Sequence, residues 1–447
     1  MSSFASIVNR YQERTRRSRE AHERAKKLLP LGVSSNFRAV DPNPIFIETA
    51  IGATITDLDG NKYTDFAMAF GAMLVGHAHP KIVEAIERQA RRGTLHAMPH
   101  RLEAVVAEEL AARFQQEQWR YANSGTEATM HAIRLARGAT GKPGVIKFEG
   151  AYHGAHDTVL VSGKPPLHKT GAREAPSPVP VSAGVPAEAM AHTHIAQFND
   201  LASVRRRFEE QFNKIACVIV EPIMLNMGVT EPDPGFLQGL KDLCAKYGAL
   251  LIFDEVKTGV KIAPGGATEH YKVHPDIVVL AKAIGGGTPL AAFGSSAEIM
   301  EEIGSFRVLH VGTYASNPLA LAAAEATLKE VLTADAYTRV FALNRKLVDG
   351  YAALIREHSL PCYANGVGSM GTINFRRERM RDYRDWVALD RKASHAWYLA
   401  MLSEGIIPQP PGPDEQWTVC TQHTEADVQA HLQAFAKVAP LLRNLGD

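Results

Sequence analysis

The chain has 447 residues, 45% of them hydrophobic and 22% charged, and its formal net charge at pH 7 is +1. This composition is ordinary for a folded globular protein, and the length allows two or three domains or one large α/β unit with appendages. A net charge so close to zero gives no electrostatic case for binding nucleic acid or a membrane surface.

The N-terminal region and the cysteines favour a cytoplasmic protein. Residues 1–30 carry many charges and no apolar core, so a signal peptide is not predicted. No stretch approaches the ~18 apolar residues needed to span a bilayer. The four cysteines are widely spaced and form no CxxC pair, which disfavours a disulfide framework or a zinc ribbon.

Strand-like and helix-like runs alternate through most of the chain. Residues 1 to about 50 predict a helix, a turn and a short strand, and the alternation then extends from about 60 to 330. It predicts βαβ units and a mainly parallel sheet with right-handed crossovers. The clearest strands are expected at residues 145–148, 216–220, 249–253 and 277–280. The clearest helices are expected at residues 80–92, 102–114, 127–138, 235–247 and 318–332.

The pattern changes at two places along the chain. Residues 163–186 contain six prolines, which remove helix and ladder options and predict a long loop. Beyond about residue 333 a helical pattern is followed by short strands, which predicts a smaller α+β domain. We therefore expect an N-terminal segment (1–60) that belongs to the small domain, a large domain (61–332) and a C-terminal small domain (333–447).

Asp254 and Lys282 each end an apolar, strand-like run. The carboxyl ends of parallel strands border the ligand crevice of open α/β sheets, so both side chains are expected at the same edge. A lysine that can form a Schiff base, beside an acid that can keep a pyridine nitrogen protonated, suits pyridoxal phosphate. A single lysine in this position is more often a solvated strand end, so the prediction depends on further motifs.

Two such motifs lie elsewhere in the alternating region. Ser124, Gly125 and Thr126 precede a helical run, where unpaired amides and the positive end of the helix dipole suit a phosphate. An ordinary N-cap would use the same residue types. Tyr152 and His153 follow the strand at 145–148, and the tyrosine ring could stack on a planar cofactor.

Other chemistries lack their motifs. The chain has no P-loop with the required spacing and no GxSxG nucleophile elbow. Pairs of histidines occur at residues 77–79, 153–156 and 192–194, but none forms the HExxH pattern. No metal site is predicted.

Taken together, the motifs resemble the class III, ornithine-type branch of the fold-type I pyridoxal-phosphate aminotransferases. Within this branch the chain is most similar to glutamate-1-semialdehyde aminomutase and its aminotransferase relatives. The similarity extends over nearly the whole chain and is strongest at residues 123–137, 147–154, 220–226, 250–259, 280–287 and 312–319.

The resemblance implies a role for each matching residue. Lys282 would form the Schiff base and shuttle the proton, and Asp254 would pair with the pyridinium nitrogen. Further cofactor contacts would come from Ser124, Gly125, Thr126, Tyr152, His153, Glu221, Asn226, Val256 and Thr313. Thr313 would reach the phosphate of the neighbouring subunit, so a homodimer with shared active sites is expected. Substrate contacts would come from Ser35, Arg38, Phe70 and Glu415.

Several departures from the aminomutase pattern bear on the reaction. The aminomutase closes a Gly/Ser-rich loop over its intermediate, whereas the corresponding stretch here, 155–193, is longer and Pro-rich. Phe70 stands where the aminomutase has a tryptophan, and Lys257 replaces a residue that is usually apolar. Glu415 lies in a region whose flanking residues differ from those around the aminomutase's acidic switch.

These departures favour an intermolecular aminotransferase. It would move an amino group from an amine or amino acid to a keto acid or aldehyde, through the Lys282 Schiff base and an aminated form of the cofactor (PMP). The alternative is a glutamate-1-semialdehyde-type 2,1-aminomutase, which returns the amino group to the same molecule. A non-catalytic protein that has kept the fold is a third hypothesis. Nucleic acid and membranes are not expected as partners.

Overall fold

The structure is a computed structural model that describes residues 3–443. The chain forms two compact units. The first unit combines the residues up to His79 with Ala334–Arg379 and the residues from Ala388 onward. The second unit combines Pro80–Thr333 with the short segment Met380–Val387.

The first unit contains two small sheets, with elements numbered here along the whole chain. One sheet has the strand order β1-β2-β3-β13 and the other has the order β11-β12-β14. The strands are β1 (Ile47–Ile51), β2 (Thr54–Asp57), β3 (Lys62–Asp65), β11 (Tyr363–Val367), β12 (Met370–Asn374), β13 (Ile406–Ile407) and β14 (Trp417–Thr418). The helices are α1 (Ser3–Arg14), α2 (Arg16–Ala25), α3 (Met68–Gly71), α13 (Ala334–Glu357), α15 (Arg391–Ser403) and α16 (Glu425–Leu442), with short 3-10 turns at Pro30–Gly32 and Asn36–Arg38.

The boundary after the N-terminal segment lies near His79, whereas the sequence analysis expected it at residue 60. β3 pairs antiparallel with β2 and parallel with β13. Both hydrogen-bonding edges of β3 are thus occupied by strands of the first unit. Pairing of this kind leaves no local signal in a four-residue strand, which explains the difference from the prediction.

The second unit is built on a seven-stranded sheet with the order β4-β10-β9-β8-β7-β5-β6. Its strands are β4 (Gln118–Ala122), β5 (Gly144–Phe148), β6 (Thr193–Ala196), β7 (Ile215–Val220), β8 (Leu250–Asp254), β9 (Ile277–Leu280) and β10 (Ala291–Ser295). The pairs from β9 through β6 are all parallel, and β10 is antiparallel to both of its neighbours. The mainly parallel large-domain sheet predicted from the sequence is confirmed.

Ten helices are described in the second unit. They are α4 (Pro80–Ala90), α5 (Arg101–Phe114), α6 (Gly125–Thr140), α7 (Ala187–Met190), α8 (Leu201–Glu210), α9 (Phe236–Tyr247), α10 (Gly266–Tyr271), α11 (Ala297–Gly304), α12 (Pro318–Ala326) and α14 (Tyr383–Val387). Short 3-10 turns occur at Leu167–Lys169 and Lys282–Gly285, and a π-helical turn at Thr327–Val331 extends α12.

Burial explains why these apolar runs form central strands. Every residue of β5, β7 and β9 is buried, and only the first residue of β8 is partly exposed. A strand covered by helices on both faces needs apolar side chains on both faces, so its sequence shows a continuous run instead of alternation. Residues of β5, β7, β8 and β9 share one core with α6, which includes Ala128, Ala132 and Leu135.

The core of the first unit is rich in aromatic rings. The ring of Tyr351 stacks on those of Trp417 and Phe435, with centroids 5.1 and 4.2 Å away. Trp397 contacts the same ring edge-on.

Among residues 3–443, no helix is long and apolar enough to cross a membrane.

Asn344 of α13 forms hydrogen bonds with buried polar groups of this core. Its Oδ1 accepts from Trp417 Nε1 at 2.7 Å, and its Nδ2 donates to the carbonyls of Gly368 and Met370. We expect Asn344→Ala to lower the free energy of unfolding by about 1–3 kcal/mol, because a buried indole N–H loses its acceptor.

The matched control is Lys346→Ala on the same helix, which removes an exposed ion pair with Glu425. An exposed pair of this kind contributes about 0–1 kcal/mol. Denaturant unfolding followed by circular dichroism would compare the two variants. Equal, small losses in both would contradict the role given to Asn344.

Candidate active site

Asp254 and Lys282 lie at the same edge of the second unit's sheet. Asp254 is the last residue of β8, and Lys282 follows β9 after one intervening alanine. The two strands are parallel neighbours, with Asp254 opposite Val279, and the backbone amide of Glu255 donates to the Val279 carbonyl at 2.8 Å. The backbone of Lys282 has a φ of 53°, a left-handed conformation that costs a non-glycine residue on the order of 1 kcal/mol or more.

Asp254 is held by a histidine. His153 Nδ1 lies 2.7 Å from Asp254 Oδ2, and the side chains of both residues are almost fully buried. A carboxylate oxygen can only accept, so the proton of this hydrogen bond is on His153. The other carboxylate oxygen accepts from the backbone amide of Val256 at 3.1 Å. His153 Nε2 is buried and has no hydrogen-bond partner among the described residues.

Glu221, directly after β7, is hydrogen-bonded to two other residues of the site, Tyr152 and Asn226. Its Oε1 accepts from the backbone amide of Tyr152 at 3.0 Å, and its Oε2 accepts from Asn226 Nδ2 at 2.8 Å. Burial raises the pKa of Glu221, while His153 and the hydrogen bond from Asn226 oppose the rise. Burial also raises the pKa of the half-buried Tyr152 phenol, and Asp254 adds to this shift.

The N-terminus of α6 lies beside this group. Ser124 is its N-cap, and the Ser124 hydroxyl accepts from the backbone amide of Glu127 at 3.2 Å. A Cβ on Gly125 would come within 3.1 Å of the Val256 side chain, so the first turn of α6 packs tightly on the second residue after β8. A Cβ on Gly154 would come within 2.7 Å of Thr126 Cα. Two glycines thus allow three backbone segments to approach closely.

These residues fit a phosphate-bearing pyridine ring. The free amides at the start of a helix, together with Ser124 and Thr126, provide donors for a phosphate. The His153–Asp254 pair provides a buried carboxylate for a ring nitrogen, and Tyr152 and Val256 are half-buried at the same edge. Among the described residues, no group of three or more His, Cys, Asp or Glu side chains is arranged to hold a metal ion.

The sequence analysis missed several residues that hold this edge together. The buried Glu255 carboxylate accepts from the amides of Ala267 and Thr268 and from the hydroxyls of Thr258 and Thr268. Burial raises the pKa of Glu255 to about 7 against these four hydrogen bonds. The only sequence signal was a second acid beside Asp254.

Lys147 in β5 was also missed. Its ammonium is fully buried and donates to the carbonyls of Ala151 and Val161, which ties the chain after β5 to the strand. Burial lowers the pKa of Lys147 to about 7. A lysine inside a predicted apolar strand was the signal available in the sequence.

The predicted substrate residues belong to the first unit. Arg38 and Phe70 line one groove of about 370 Å³, whose other lining residues are mostly apolar and include Phe37 and Tyr398. Arg38 is exposed, and its guanidinium donates to Ser34 Oγ at 2.8 Å. Phe70 lies in α3, which is a single left-handed turn because φ is positive at all four of its residues.

The remaining predicted residues are not among those that line this groove. Ser35 is exposed and occupies the N-cap position of the 3-10 turn that contains Arg38, without a side-chain capping hydrogen bond. Glu415 is buried just before β14, and its carbonyl accepts from the Thr372 hydroxyl at 3.1 Å. In the second unit, Thr313 is exposed in a loop whose apolar neighbours Val311 and Tyr314 are exposed as well.

The strand order, with the site at the carboxyl edge of the parallel strands, defines the fold of type I pyridoxal-phosphate-dependent transferases. The chain belongs to the class-III aminotransferase family, whose family model matches residues 36–436. The resemblance inferred from the motifs is confirmed.

Three relatives illustrate the comparison. The chain is 40% identical over 435 residues to a glutamate-1-semialdehyde 2,1-aminomutase from Desulfitobacterium hafniense, which covers 96% of this chain and 99% of the relative. An omega-transaminase from Sphaerobacter thermophilus has a similar crystal structure, with a TM-score of 0.91 and 32% identity over 95% of this chain and 98% of the other. A glutamate-1-semialdehyde aminomutase from Pseudomonas aeruginosa, crystallised in complex with PMP, has a TM-score of 0.89 and 29% identity over 98% of both chains.

The contact between Gly154 and Thr126 can be tested against a glycine in open space. Gly154 has a φ of 102° and a close backbone neighbour, whereas Gly184 has a φ of 92° and nothing within 4 Å of the position that a Cβ would take. We expect Gly154→Ala to lower the free energy of unfolding by about 1–3 kcal/mol more than Gly184→Ala, because only the former adds a steric clash to the φ strain. Parallel denaturant titrations would measure the difference, and equal losses would show that Gly154 is not required by packing.

Lys147 predicts a pH dependence of stability. The folded protein lowers the pKa of this lysine from 10.5 to about 7, so between these values the unfolded chain binds the extra proton. Stability contributed at this position should therefore rise as pH increases above about 7, by up to about 1.4 kcal/mol per pH unit. The difference between the wild type and Lys147→Met, measured from pH 6 to 9, isolates this effect. A difference that is constant with pH would contradict it.

Proposed function

We propose that the protein is a pyridoxal 5'-phosphate enzyme that transfers amino groups, and that it acts as a glutamate-1-semialdehyde-type 2,1-aminomutase. The observation that supports the cofactor most directly is the buried His153–Asp254 hydrogen bond at the strand edge that also carries Lys282. The observation that supports the reaction is the 40% identity to a curated aminomutase along 96% of the chain.

The residues at the carboxyl edge of the second unit's parallel strands each have a role in this proposal. When bound, the cofactor supplies an electron sink next to the substrate carbon. Lys282 would bind the aldehyde carbon of the cofactor. Once displaced by the substrate amine, it would take a proton from the substrate carbon that bears the amine and deliver one to the cofactor's aldehyde carbon. Asp254 would hold the ring nitrogen, and His153 would keep the carboxylate in place. Tyr152 and Val256 would pack on opposite faces of the ring.

The other cofactor contacts follow the same logic. Ser124, Gly125 and Thr126 would bind the phosphate at the start of α6, where donors and the helix dipole favour an anion. Glu221 and Asn226 would support the ring environment through the backbone of Tyr152. Thr313 would contact the phosphate held by the neighbouring subunit of a homodimer, and its exposure is consistent with that task.

The preferred reaction is now the aminomutase, whereas the sequence analysis favoured the transaminase. The motif departures at Phe70 and Lys257 and in the stretch 155–193 favoured an intermolecular transaminase. The curated relatives support the aminomutase instead, because their similarity covers almost the whole length of both chains.

An intermolecular transaminase remains the second candidate, with an amine or amino-acid donor and a keto-acid acceptor. Two observations favour it. One is the similarity to the omega-transaminase structure. The other is that the Pro-rich stretch is held in place by contacts within its own unit. This stretch is tied to its own unit by the bridge between Val161 and Pro180 and by the hydrogen bond from Arg207 to the Pro176 carbonyl. A tethered stretch suits a fixed wall better than a mobile gate that retains an intermediate.

A half-reaction separates the two candidates. Protein loaded with pyridoxal 5'-phosphate is mixed with single amino donors and no acceptor, while the cofactor absorbance and the products are followed. The aminomutase predicts that glutamate 1-semialdehyde is converted catalytically to its isomer without release of an amino group to a second substrate. Stoichiometric release of a keto acid or aldehyde from other donors, without that isomerisation, would replace the aminomutase by the transaminase.

Lys282→Ala tests the mechanism shared by both candidates. We expect the variant to lose at least about 10³-fold in turnover, because the residue that moves the proton is absent. Lys246→Ala, at an exposed position of α9, is the control and should retain wild-type turnover. Turnover of Lys282→Ala at the wild-type rate would exclude the proposed mechanism.

A further inference from the structure

The segment Met380–Val387 belongs to the second unit, although the chain on both sides of it belongs to the first. We call these eight residues the buttress segment. It contains the short helix α14, and it contacts two parts of the second unit. One is the turn Glu149–His153 that follows β5, and the other is the Pro-rich stretch.

A buried ion pair joins the buttress segment to the turn after β5. Arg384 Nε donates to Glu149 Oε2 at 3.0 Å, and Arg384 Nη2 donates to Glu149 Oε1 at 3.3 Å. The Glu149 side chain is completely buried, and that of Arg384 is 17% exposed. A two-pronged contact of this kind fixes direction as well as distance, which a lysine cannot do.

Packing reinforces the ion pair at the next residue. Gly150 has a φ of 84°, and a Cβ at this position would lie 2.7 Å from Cδ2 of the Tyr383 ring and against the sulfur of Met227. Tyr383 is itself buried and donates its hydroxyl hydrogen to the Pro165 carbonyl at 2.6 Å. The buttress segment therefore contacts two successive residues of the turn. It forms an ion pair with Glu149 and packs closely on Gly150.

The same turn supplies the residues that surround Asp254. Three and four positions after Glu149 come Tyr152, whose amide is held by Glu221, and His153, which is hydrogen-bonded to Asp254. The His153 carbonyl accepts from the Thr129 hydroxyl of α6 at 2.6 Å. Tyr152 and His153, at the C-terminal end of the turn, are thus hydrogen-bonded to other residues of the site. Glu149, at its N-terminal end, is paired with Arg384.

We propose that Arg384 is a positioning residue that acts through Glu149 to fix the turn presenting Tyr152 and His153 to the cofactor. This inference rests on the proposed cofactor site. Removal of the guanidinium leaves the Glu149 carboxyl group buried without the partner that fixes its direction, so the near end of the turn loses its ion pair with α14. Tyr152 and His153 then lose their position relative to the cofactor ring and Asp254.

Cofactor binding to the apoprotein measures this effect directly. Variants Arg384→Ala, Arg384→Lys and Glu149→Gln/Arg384→Ala are titrated with pyridoxal 5'-phosphate, and the spectrum of the bound cofactor is recorded across pH. We expect Arg384→Ala to weaken cofactor binding roughly ten- to hundredfold, the range typical of groups that orient a binding side chain. We also expect the pH at which the bound cofactor changes its spectrum to shift, because His153 no longer holds Asp254 in place.

The other variants separate positioning from charge neutralisation. Arg384→Lys keeps the charge without the fork and should bind the cofactor with intermediate affinity. The double variant removes the uncompensated carboxylate, so the apoprotein should recover its thermal stability while cofactor affinity and spectrum stay altered. Recovery of all three in the double variant would overturn the proposal, because neutralising Glu149 would then be the whole role of Arg384.

Arg381→Ala is the matched control within the buttress segment. Arg381 forms an ion pair with Asp233 in which both side chains are well exposed, and it should be dispensable for cofactor binding. Wild-type affinity and spectra in Arg384→Ala would overturn the inference while leaving the proposed function intact. The proposed function fails separately, and the inference with it, if the wild type does not bind pyridoxal 5'-phosphate.

Discussion

The organisation of the second unit depends on a carboxylate at the buried end of a central strand. Asp254 ends β8 in a position that is only 4% exposed, where an unpartnered carboxylate would be strongly destabilising. His153 satisfies one oxygen and the Val256 amide the other. Since His153 comes from the chain after β5, two strands away in the sheet, the structure must bring that chain across β7 and hold it there.

Several buried polar groups perform this holding, and each acts on a different point of the same turn. Lys147 binds the Ala151 carbonyl, Glu221 binds the Tyr152 amide, and Arg384 binds the Glu149 carboxylate. The low dielectric of the interior strengthens buried hydrogen bonds of this kind, and together they favour one geometry of the turn. The carboxylate that would face the cofactor is therefore supported by contacts well outside its own strand.

In the proposed function, the residues that would act on the cofactor belong to the second unit, and those that would contact the substrate belong to the first. The groove with Arg38 and Phe70 presents one guanidinium among mostly apolar residues. A guanidinium suits a carboxylate in either reaction.

The sequence by itself determined the central strands, the parallel sheet and the family. Continuous apolar runs that end on Asp254 and Lys282 predict buried strands, and in a parallel sheet the carboxyl ends of such strands meet at one edge. Only the tertiary structure decided that β3 belongs to the first unit, that His153 pairs with Asp254, and that Arg384 reaches Glu149, 235 positions away. These contacts join residues far apart in the chain and leave no periodicity or spacing, because a hydrogen bond between side chains depends on where the backbone has already been placed.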